Sequence, residues 1–235
     1  MIRAIAVAAV ISALGYAPQK GRPSAKEVMS NVAKTYEAVD DFVVTLEGEV
    51  HMERLEMPKT TVTMYYKKPA KTHFSSAGFA MLPREGMMLN PAQLQDRYDA
   101  TLQGEETADG AKRYKLQLAA KDPQARVRQM YVWVDPSNWT IVKTESVPYE
   151  GRNLTFEFKY GLQQGKYWLP VSMKATFGAA APAPDRSGSD LSQTPAAALE
   201  EMQRAPRSGT VEITYSNYRV NVNLPDGIFE EKSGK

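Results

Sequence analysis

The sequence predicts a mainly β, single-domain protein built around one antiparallel meander of about ten or eleven strands. Two observations predict this fold class. From residue 41 onward, apolar and polar residues alternate with the period of two that is typical of strands with one buried face. Short polar turns at 108–110, 150–152 and 163–165 separate several of the alternating runs. Because one face of each strand is apolar, we expect the sheet to curl around a core or a cavity.

One amphipathic helix is expected before the strands, over about residues 25–39. Ser24 and Glu27 have the spacing of a capping box, in which each side chain accepts a hydrogen bond from a backbone amide at the start of the helix. The apolar face of this helix is formed by residues that recur at helical spacing, Val28, Val32, Tyr36 and Val39.

The strands follow in a regular order. In the first strand Phe42, Val44 and Leu46 share one face, whereas Thr45 points to the other. Further strands are expected at about 59–68, 71–78, 98–107, 112–120, 126–134, 139–148, 153–161, 166–177 and 209–218.

Two segments interrupt this rhythm. Residues 79–97 are apolar but irregular, with several methionines among two prolines and a glycine. Residues 178–208 are rich in Ala, Pro and Ser and lie between two strands, which is typical of a flexible surface insertion.

The first 15 residues have the pattern of a secretory signal peptide. Arg3 supplies the positive charge, residues 5–14 form a short apolar run, and Ala13-Leu14-Gly15 is a small-x-small cleavage site. The run is too short to span a bilayer comfortably. We therefore expect export, cleavage after Gly15 and one mature domain over 16–235.

Composition argues against several functional classes. The chain has no cysteine, so a disulfide framework, a thiol nucleophile and a lipid-bearing cysteine are all excluded. Its 29 basic and 27 acidic residues leave a formal charge of only +2, which argues against nucleic acid as a partner.

Catalytic and metal-binding patterns are not found in the sequence. His51 and His73 fall in different predicted strands without metal-ligand spacing, so we interpret them as ordinary strand residues. No Gly-x-Ser-x-Gly motif or phosphate-binding glycine loop occurs. The sequence therefore predicts neither an enzyme nor a cofactor.

Soft and aromatic apolar residues are abundant, with 11 Met, 12 Tyr, 7 Phe and 3 Trp. Methionines repack at little cost and therefore suit surfaces that accept variable apolar ligands. They can equally fill an ordinary core. The cluster at 79–89 favours the first interpretation, because irregular segments seldom hold so much apolar surface without something to bury it.

The segment YVWVDPSNWTIVK, residues 131–143, predicts a β-hairpin. Asp135 and Pro136 are the residues that a type I turn prefers, so Asp135 is expected to cap the turn. If Pro136 and Ser137 are its two central residues, Val134 lies opposite Trp139 and Trp133 points to the other face. One extra loop residue would reverse that pairing.

Four segments occur in a characteristic order: MYYKKPAKTHF at 64–74, WVDPSNWTIVKTE at 133–145, GKYWLP at 165–170 and YSNYRVNVNLPDGIFE at 215–230. Together with the helix and the meander, they resemble the outer-membrane lipoprotein-sorting proteins, the LolA-like carriers. The resemblance covers most of the chain outside 178–208. It implies a half-open, incomplete antiparallel β-barrel of about eleven strands, in which an N-terminal helix and lid segments cover a concave apolar cavity.

The resemblance also implies a function. LolA-like carriers hold the acyl chains of lipoproteins in this cavity and carry them across the periplasm, without covalent chemistry or a cofactor. The expected protein is a monomeric periplasmic carrier of lipoprotein acyl chains or other lipid, with transport partners at the inner and outer membranes. The alternative is an envelope sensor, regulatory or assembly module that uses the half-barrel to bind lipid or a protein.

Site residues follow from the same resemblance. The basic residue that latches the lid falls on Lys68, before Pro69, where carriers usually have arginine. Three positions after the proline, where carriers often have an aromatic residue, this chain has Thr72, and Phe74 is expected to serve instead. The side chains expected to line the cavity or lid are Met64, Tyr66, Phe74, Phe79, Met81, Leu82, Met87, Met88, Trp133 and Trp139.

Overall fold

One antiparallel sheet forms the body of the protein in a computed structural model that describes residues 21–52, 55–56, 59–75, 91–125, 127–148, 154–177 and 208–230. Two α-helices accompany it, α1 (Ala25–Glu37) and α2 (Pro91–Arg97). The strands are β1 (Asp41–Met52), β2 (Leu55–Glu56), β3 (Thr60–Lys67), β4 (Lys71–Phe74), β5 (Tyr98–Ala108), β6 (Ala111–Ala120), β7 (Val127–Asp135), β8 (Thr140–Pro148), β9 (Leu154–Gln163), β10 (Tyr167–Phe177) and β11 (Gly209–Val220).

The sheet is open and not a closed barrel. Its strand order is β4-β3-β1-β11-β10-β9-β8-β7-β6-β5, with β2 paired to β1 off this path. From β5 to β11 each strand pairs with the next along the chain, and β11 then pairs with β1. The prediction of a mainly β, incomplete antiparallel barrel of about eleven strands is therefore confirmed.

Helix α1 begins as the sequence predicts. The Ser24 hydroxyl accepts a hydrogen bond from the Glu27 backbone amide at 3.2 Å, and the Glu27 carboxylate accepts one from the Ser24 amide at 2.7 Å. The helix ends at Glu37, two residues earlier than expected, because Ala38 forms its C-terminal cap. Val39 lies beyond the helix and is still buried.

Two apolar cores lie on the sheet. In the helix-side core, Val28, Met29 and Val32 of α1 pack against Leu94 of α2 and against side chains of β6, β7 and β8. The strand core is formed by alternate residues of β1, β3, β9, β10 and β11. Its largest fully buried side chains are Phe42, Leu46, Met64, Leu169, Met173 and Ile213.

Helix α2 and strand β2 were not predicted, because the sequence of 79–97 reads as irregular and β2 has only two residues. Pro91 occupies the first helical position, where its missing amide proton costs nothing. Gln95 of α2 donates its side-chain amide to the Met29 carbonyl at 2.8 Å, which joins α2 to α1.

The β7–β8 turn is longer than expected, so the expected pairing of Val134 with Trp139 is wrong. Val134 lies opposite Ile141, and Asp135 lies opposite Thr140. The Asp135 carbonyl accepts from the Trp139 amide at 2.8 Å, which closes a wider loop. The Asp135 carboxylate accepts from the Ser137 amide at 2.8 Å, so this acid caps the turn as predicted.

Asn221 fixes the end of α1 against β11. Its side-chain oxygen accepts from the Asp40 amide at 2.8 Å, and its amide nitrogen donates to the Ala38 carbonyl at 2.9 Å and to the Tyr167 hydroxyl at 3.1 Å. Its φ of 55° is a left-handed conformation that asparagine tolerates better than most residues. The end of α1 is therefore tied to the start of β10 and to the residue that follows β11.

Two of the predicted segments lie almost wholly outside the described residues. The expected signal peptide, 1–15, falls outside them, as does the expected insertion at 178–208 apart from its last residue. The prediction of one mature domain over 16–235 stays a prediction.

Candidate ligand-binding site

The strand core presents one continuous apolar face. Alternate residues of five adjacent strands contact one another in a single cluster, as they do on the concave side of a curved sheet. Helix α1 lies on the same side and contacts β5, β8 and β10. The concave face is thus apolar across the sheet, and α1 packs on the part formed by β5 to β8.

Half-buried apolar side chains surround the strand core. Phe74, Leu154, Tyr160 and Tyr218 pack against it while keeping part of their surface accessible. Their neighbours are aromatic: Phe42 stacks on Tyr66 with ring centroids 5.0 Å apart. Such a margin of aromatic and aliphatic groups offers contact area to an apolar ligand without requiring a specific polar partner.

A hydroxyl pair joins α1 to the sheet beside this margin. The hydroxyl oxygens of Tyr36 on α1 and Tyr160 on β9 lie 3.0 Å apart and share a hydrogen bond. Burial raises the pKa of Tyr36 to about 12 and that of Tyr160 well above its usual value. Both residues nevertheless keep some accessible surface. These groups stay neutral at any physiological pH.

Tyr215 and Tyr218 of β11 extend this group of tyrosines. Burial raises the pKa of each above its ordinary value, and the neighbouring tyrosines add to the effect. The Tyr218 hydroxyl donates to the Pro170 carbonyl at 2.8 Å. The polar atoms on this part of the concave face are therefore uncharged.

Lys68 lies between the sheet and the C-terminal end of α1. Its ammonium group donates to the Glu37 carbonyl, which belongs to the last residue of the helix, and lies 3.2 Å from the Asp40 carboxylate. A cation at a helix C-terminus is favoured because the last carbonyls carry partial negative charge. The contact is of the kind that the resemblance implies for the latch residue, made by an ammonium group in place of a guanidinium fork.

A second set of ionic contacts ties the β3–β4 hairpin to the chain after β11. The Lys67 ammonium donates to the Leu224 carbonyl at 2.8 Å and lies 3.0 Å from Asp226. Lys71 lies 2.9 Å from the same carboxylate. Hydrogen bonds from Lys71 and then Lys67 lower the pKa of Asp226. The β3–β4 hairpin therefore contacts the end of α1 through Lys68 and the chain after β11 through Lys67 and Lys71.

The structure brings together three of the residues expected to line the cavity. Met64 and Tyr66 lie in the strand core, with 1% and 8% of their surface exposed, and Phe74 lies at its margin. The other expected residues of this group, Phe79, Met81, Leu82, Met87 and Met88, lie outside the described residues.

The two tryptophans are on opposite faces of the β7–β8 hairpin. Trp139 packs against the helix-side core and stacks beside Tyr114, with ring centroids 6.0 Å apart. Trp133 lies on the outer face, where its ring contacts the ammonium groups of Lys115 and Lys143 and its indole donates to Glu106 at 2.7 Å. Trp133 therefore does not face the concave side.

The residues that sequence reasoning missed are the tyrosines. Tyr160 and Tyr215 lie in strands whose alternation was recognised, so their inward face could have been inferred from that alternation. Tyr218 has the opposite parity to Tyr215 and packs on the same core because a bulge at Asn217 shifts the alternation of β11. The hydrogen bond between Tyr160 and Tyr36 could not have been inferred, because it joins residues 124 positions apart.

The described residues hold no group of three or more histidine, aspartate or glutamate side chains that could bind a metal ion. His51 is exposed and lies 3.7 Å from Glu49, while His73 lies beside the Tyr65 ring. Within the same ranges, no helix has both the length and the apolar character needed to cross a membrane.

Solved structures share this architecture. A DUF1329 family protein from Desulfovibrio piger aligns with a TM-score of 0.57 and 15% identity over 88% of this chain and 97% of that one. A LolA superfamily protein from Nitrosomonas europaea aligns with a TM-score of 0.52 and 15% identity over 89% and 99%. The chain has the LolA-like fold.

A third structure, described as an outer membrane lipoprotein-sorting protein domain from Vibrio parahaemolyticus, aligns with a TM-score of 0.54 and 14% identity over 87% of this chain and 95% of that one. A family model with the description "Uncharacterized protein" matches residues 88–177, which is less than half of the chain. No curated protein matches in sequence. At these identities the similarity establishes the LolA-like fold that the motifs predict.

We expect the Tyr36–Tyr160 pair to make the protein sensitive to alkali. An unfolded tyrosine has a pKa of about 10, and burial raises that of Tyr36 to about 12. The folded state therefore holds the proton more tightly, and this stabilisation is complete below pH 10 and lost as the pH rises toward 12. Urea midpoints measured from pH 9 to 12 should fall more steeply in the natural protein than in a Tyr36→Phe, Tyr160→Phe double variant.

The control for this measurement is Tyr65→Phe, which changes a tyrosine on the opposite face of β3. It should leave the steep fall unchanged. Equal slopes for the double variant and the natural protein would show that the paired hydroxyls do not resist ionisation in the folded state.

Proposed function

We propose that the protein is a periplasmic carrier that holds the acyl chains of lipoproteins or other lipids against the strand core and transfers them without covalent chemistry. The observation that carries this proposal is the continuous apolar concave face with half-exposed side chains at its margin. The LolA-like fold supports it, because similar solved structures are described as LolA superfamily and lipoprotein-sorting proteins.

An acyl chain suits this face on energetic grounds. Burial of each methylene group stabilises a complex by about 0.8 kcal/mol, so roughly ten buried methylenes correspond to a dissociation constant near 1 μM. No polar partner is needed along such a chain. The nearby tyrosine hydroxyls are neutral and hydrogen-bonded, so they add no charged group whose desolvation would oppose binding.

Access to the face depends on α1 in this proposal. The C-terminal end of the helix is held to the sheet by the Tyr36–Tyr160 hydroxyl pair, by the contacts of Lys68 with Glu37 and Asp40, and by the Asn221 amide, which donates to Ala38. These polar contacts are few and lie next to the half-exposed margin. Release of α1 at this end would open the concave face while the helix-side core keeps the rest of α1 in place.

The proposed location and partners follow from the same function. The signal-like N-terminus supports export to the periplasm. A carrier of acylated cargo must receive it from one membrane and deliver it to another, so transport partners at the inner and outer membranes belong to the proposal. The protein is proposed to act as a monomer, with nucleic acid and cofactors playing no part.

The first test places a charge at the margin of the face. In Phe74→Asp the carboxylate opposes an apolar ligand, and the lost ring burial is worth about 1.5–3 kcal/mol. We expect the affinity for an acyl probe with an environment-sensitive fluorophore to fall roughly 10- to 100-fold. Fluorescence titration of the purified variant measures this change.

The matched control is His73→Asp, which places the same carboxylate on the adjacent residue, where the side chain is exposed on the other face of β4. Its affinity should equal that of the natural protein. If both variants bind the probe as tightly as the natural protein, the ligand does not contact this margin and the proposed site is wrong.

The second test concerns Lys68. Removal of its side chain in Lys68→Ala should weaken the closure of α1 by about 1 kcal/mol and raise the rate of probe dissociation about fivefold. Lys68→Arg should keep the slow rate, because a guanidinium group can reach the same carbonyl. Stopped-flow displacement with unlabelled ligand measures both rates.

Lys174→Ala serves as the control for this experiment. It removes an ion pair of comparable exposure, in which Lys174 lies 2.9 Å from Glu212 on the outer face, and should not change the rate. A dissociation rate in Lys68→Ala equal to that of the natural protein would rule out the latch.

A further inference from the structure

A separate pocket of about 610 Å³ lies between α1, β6 and the β7–β8 loop. One wall is a stripe of α1 at helical spacing, which includes Ser30, Asn31 and Lys34, and the opposite wall is formed by the rings of Tyr114 and Trp139. Its volume is in the range of ligand pockets in proteins. This pocket is not part of the strand core.

The polar groups on the helix wall are available to a ligand. Within the described ranges, the side chains of Ser30, Asn31 and Lys34 have no hydrogen-bond or ion-pair partner. Arg22 also lines the pocket, and its guanidinium lies 3.8 Å from Glu105. Among the described lining residues the one acid, Glu27, is engaged in the capping box of α1. The described lining therefore combines donors and acceptors with one cation, Lys34, that has no ionic partner among the described residues.

The backbone of Trp139 supplies an independent observation. Its φ is 57°, in the left-handed region that a bulky aromatic residue rarely adopts. The loop needs this conformation, since the Trp139 amide closes it by donating to Asp135, and glycine or asparagine would adopt it at lower cost. Strained residues of this kind cluster at functional sites. The tryptophan brings a large ring that packs on the helix-side core and leaves part of its surface to the pocket.

We propose that this pocket binds a saccharide that carries a negatively charged group. A sugar ring offers apolar C–H groups to the aromatic wall, while its hydroxyls donate to and accept from the amide of Asn31 and the hydroxyl of Ser30. Lys34 then holds the acidic substituent, since Arg22 already faces Glu105. This site is independent of the carrier function and would bind its ligand outside the concave face.

Saturation-transfer NMR on the full protein tests the proposal with two probes that differ only at C6, methyl β-glucuronide and methyl β-glucoside. Transfer to the ring protons is expected for the glucuronide, with at least a fivefold weaker apparent affinity for the glucoside. Trp139→Asn keeps the left-handed turn and removes the aromatic wall, so it should abolish transfer. Lys34→Gln should reduce the affinity for the glucuronide to that for the glucoside.

Trp133→Phe is the matched control, because it alters a tryptophan on the outer face of the same hairpin and should leave transfer unchanged. Absence of transfer from both probes would overturn the proposal, as would undiminished transfer in folded Trp139→Asn. Complete displacement of the glucuronide by an equal concentration of inorganic phosphate would also overturn it, since the cations alone would then account for binding.

Discussion

One constraint underlies this structure: an open sheet with a single apolar face must have that face covered. Alternate residues of β1, β3, β9, β10 and β11 build one half of the face, and β6, β7 and β8 build most of the other. Helix α1 packs on the second half through Val28, Met29 and Val32. Because these contacts are apolar and fully enclosed, they hold α1 firmly, whereas its C-terminal end is held mainly by polar contacts.

Because α1 is packed firmly along its apolar face and held only by polar contacts at its C-terminal end, that end can open while the rest stays in place, which is what a carrier requires. The strands are held by continuous backbone pairing, so the concave face keeps its shape when the end of α1 is released, and the sheet can bind a flexible chain with little reorganisation of its own. Exposed ionic contacts such as Lys68–Asp40 contribute little to stability, so they can open and close at small cost. Between α1 and the sheet, the neutral hydroxyls of Tyr36 and Tyr160 hydrogen-bond to each other and bring no charge into the apolar region.

The sequence was most informative where structure is local. The capping box of Ser24 and Glu27 and the strand alternation both depend on neighbouring residues, and both are observed. The fold itself needed the resemblance of four segments, since periodicity cannot decide between a closed and an open barrel. The pairing of Val134 with Trp139 was wrong because the Trp139 amide bonds to the Asp135 carbonyl and closes a wider loop, which residue preferences for turns do not predict. The hydrogen bonds of Tyr36 and Asn221 join residues that are far apart in the sequence, so no local sequence pattern predicts them.

The most direct measurement is native mass spectrometry of protein purified from a membrane-containing extract of cells that express it. Bound lipid or acylated protein should appear as added mass on the folded chain, and organic extraction should release it. A folded chain with no added mass, which also fails to take up an acyl probe when one is offered, would contradict the carrier function.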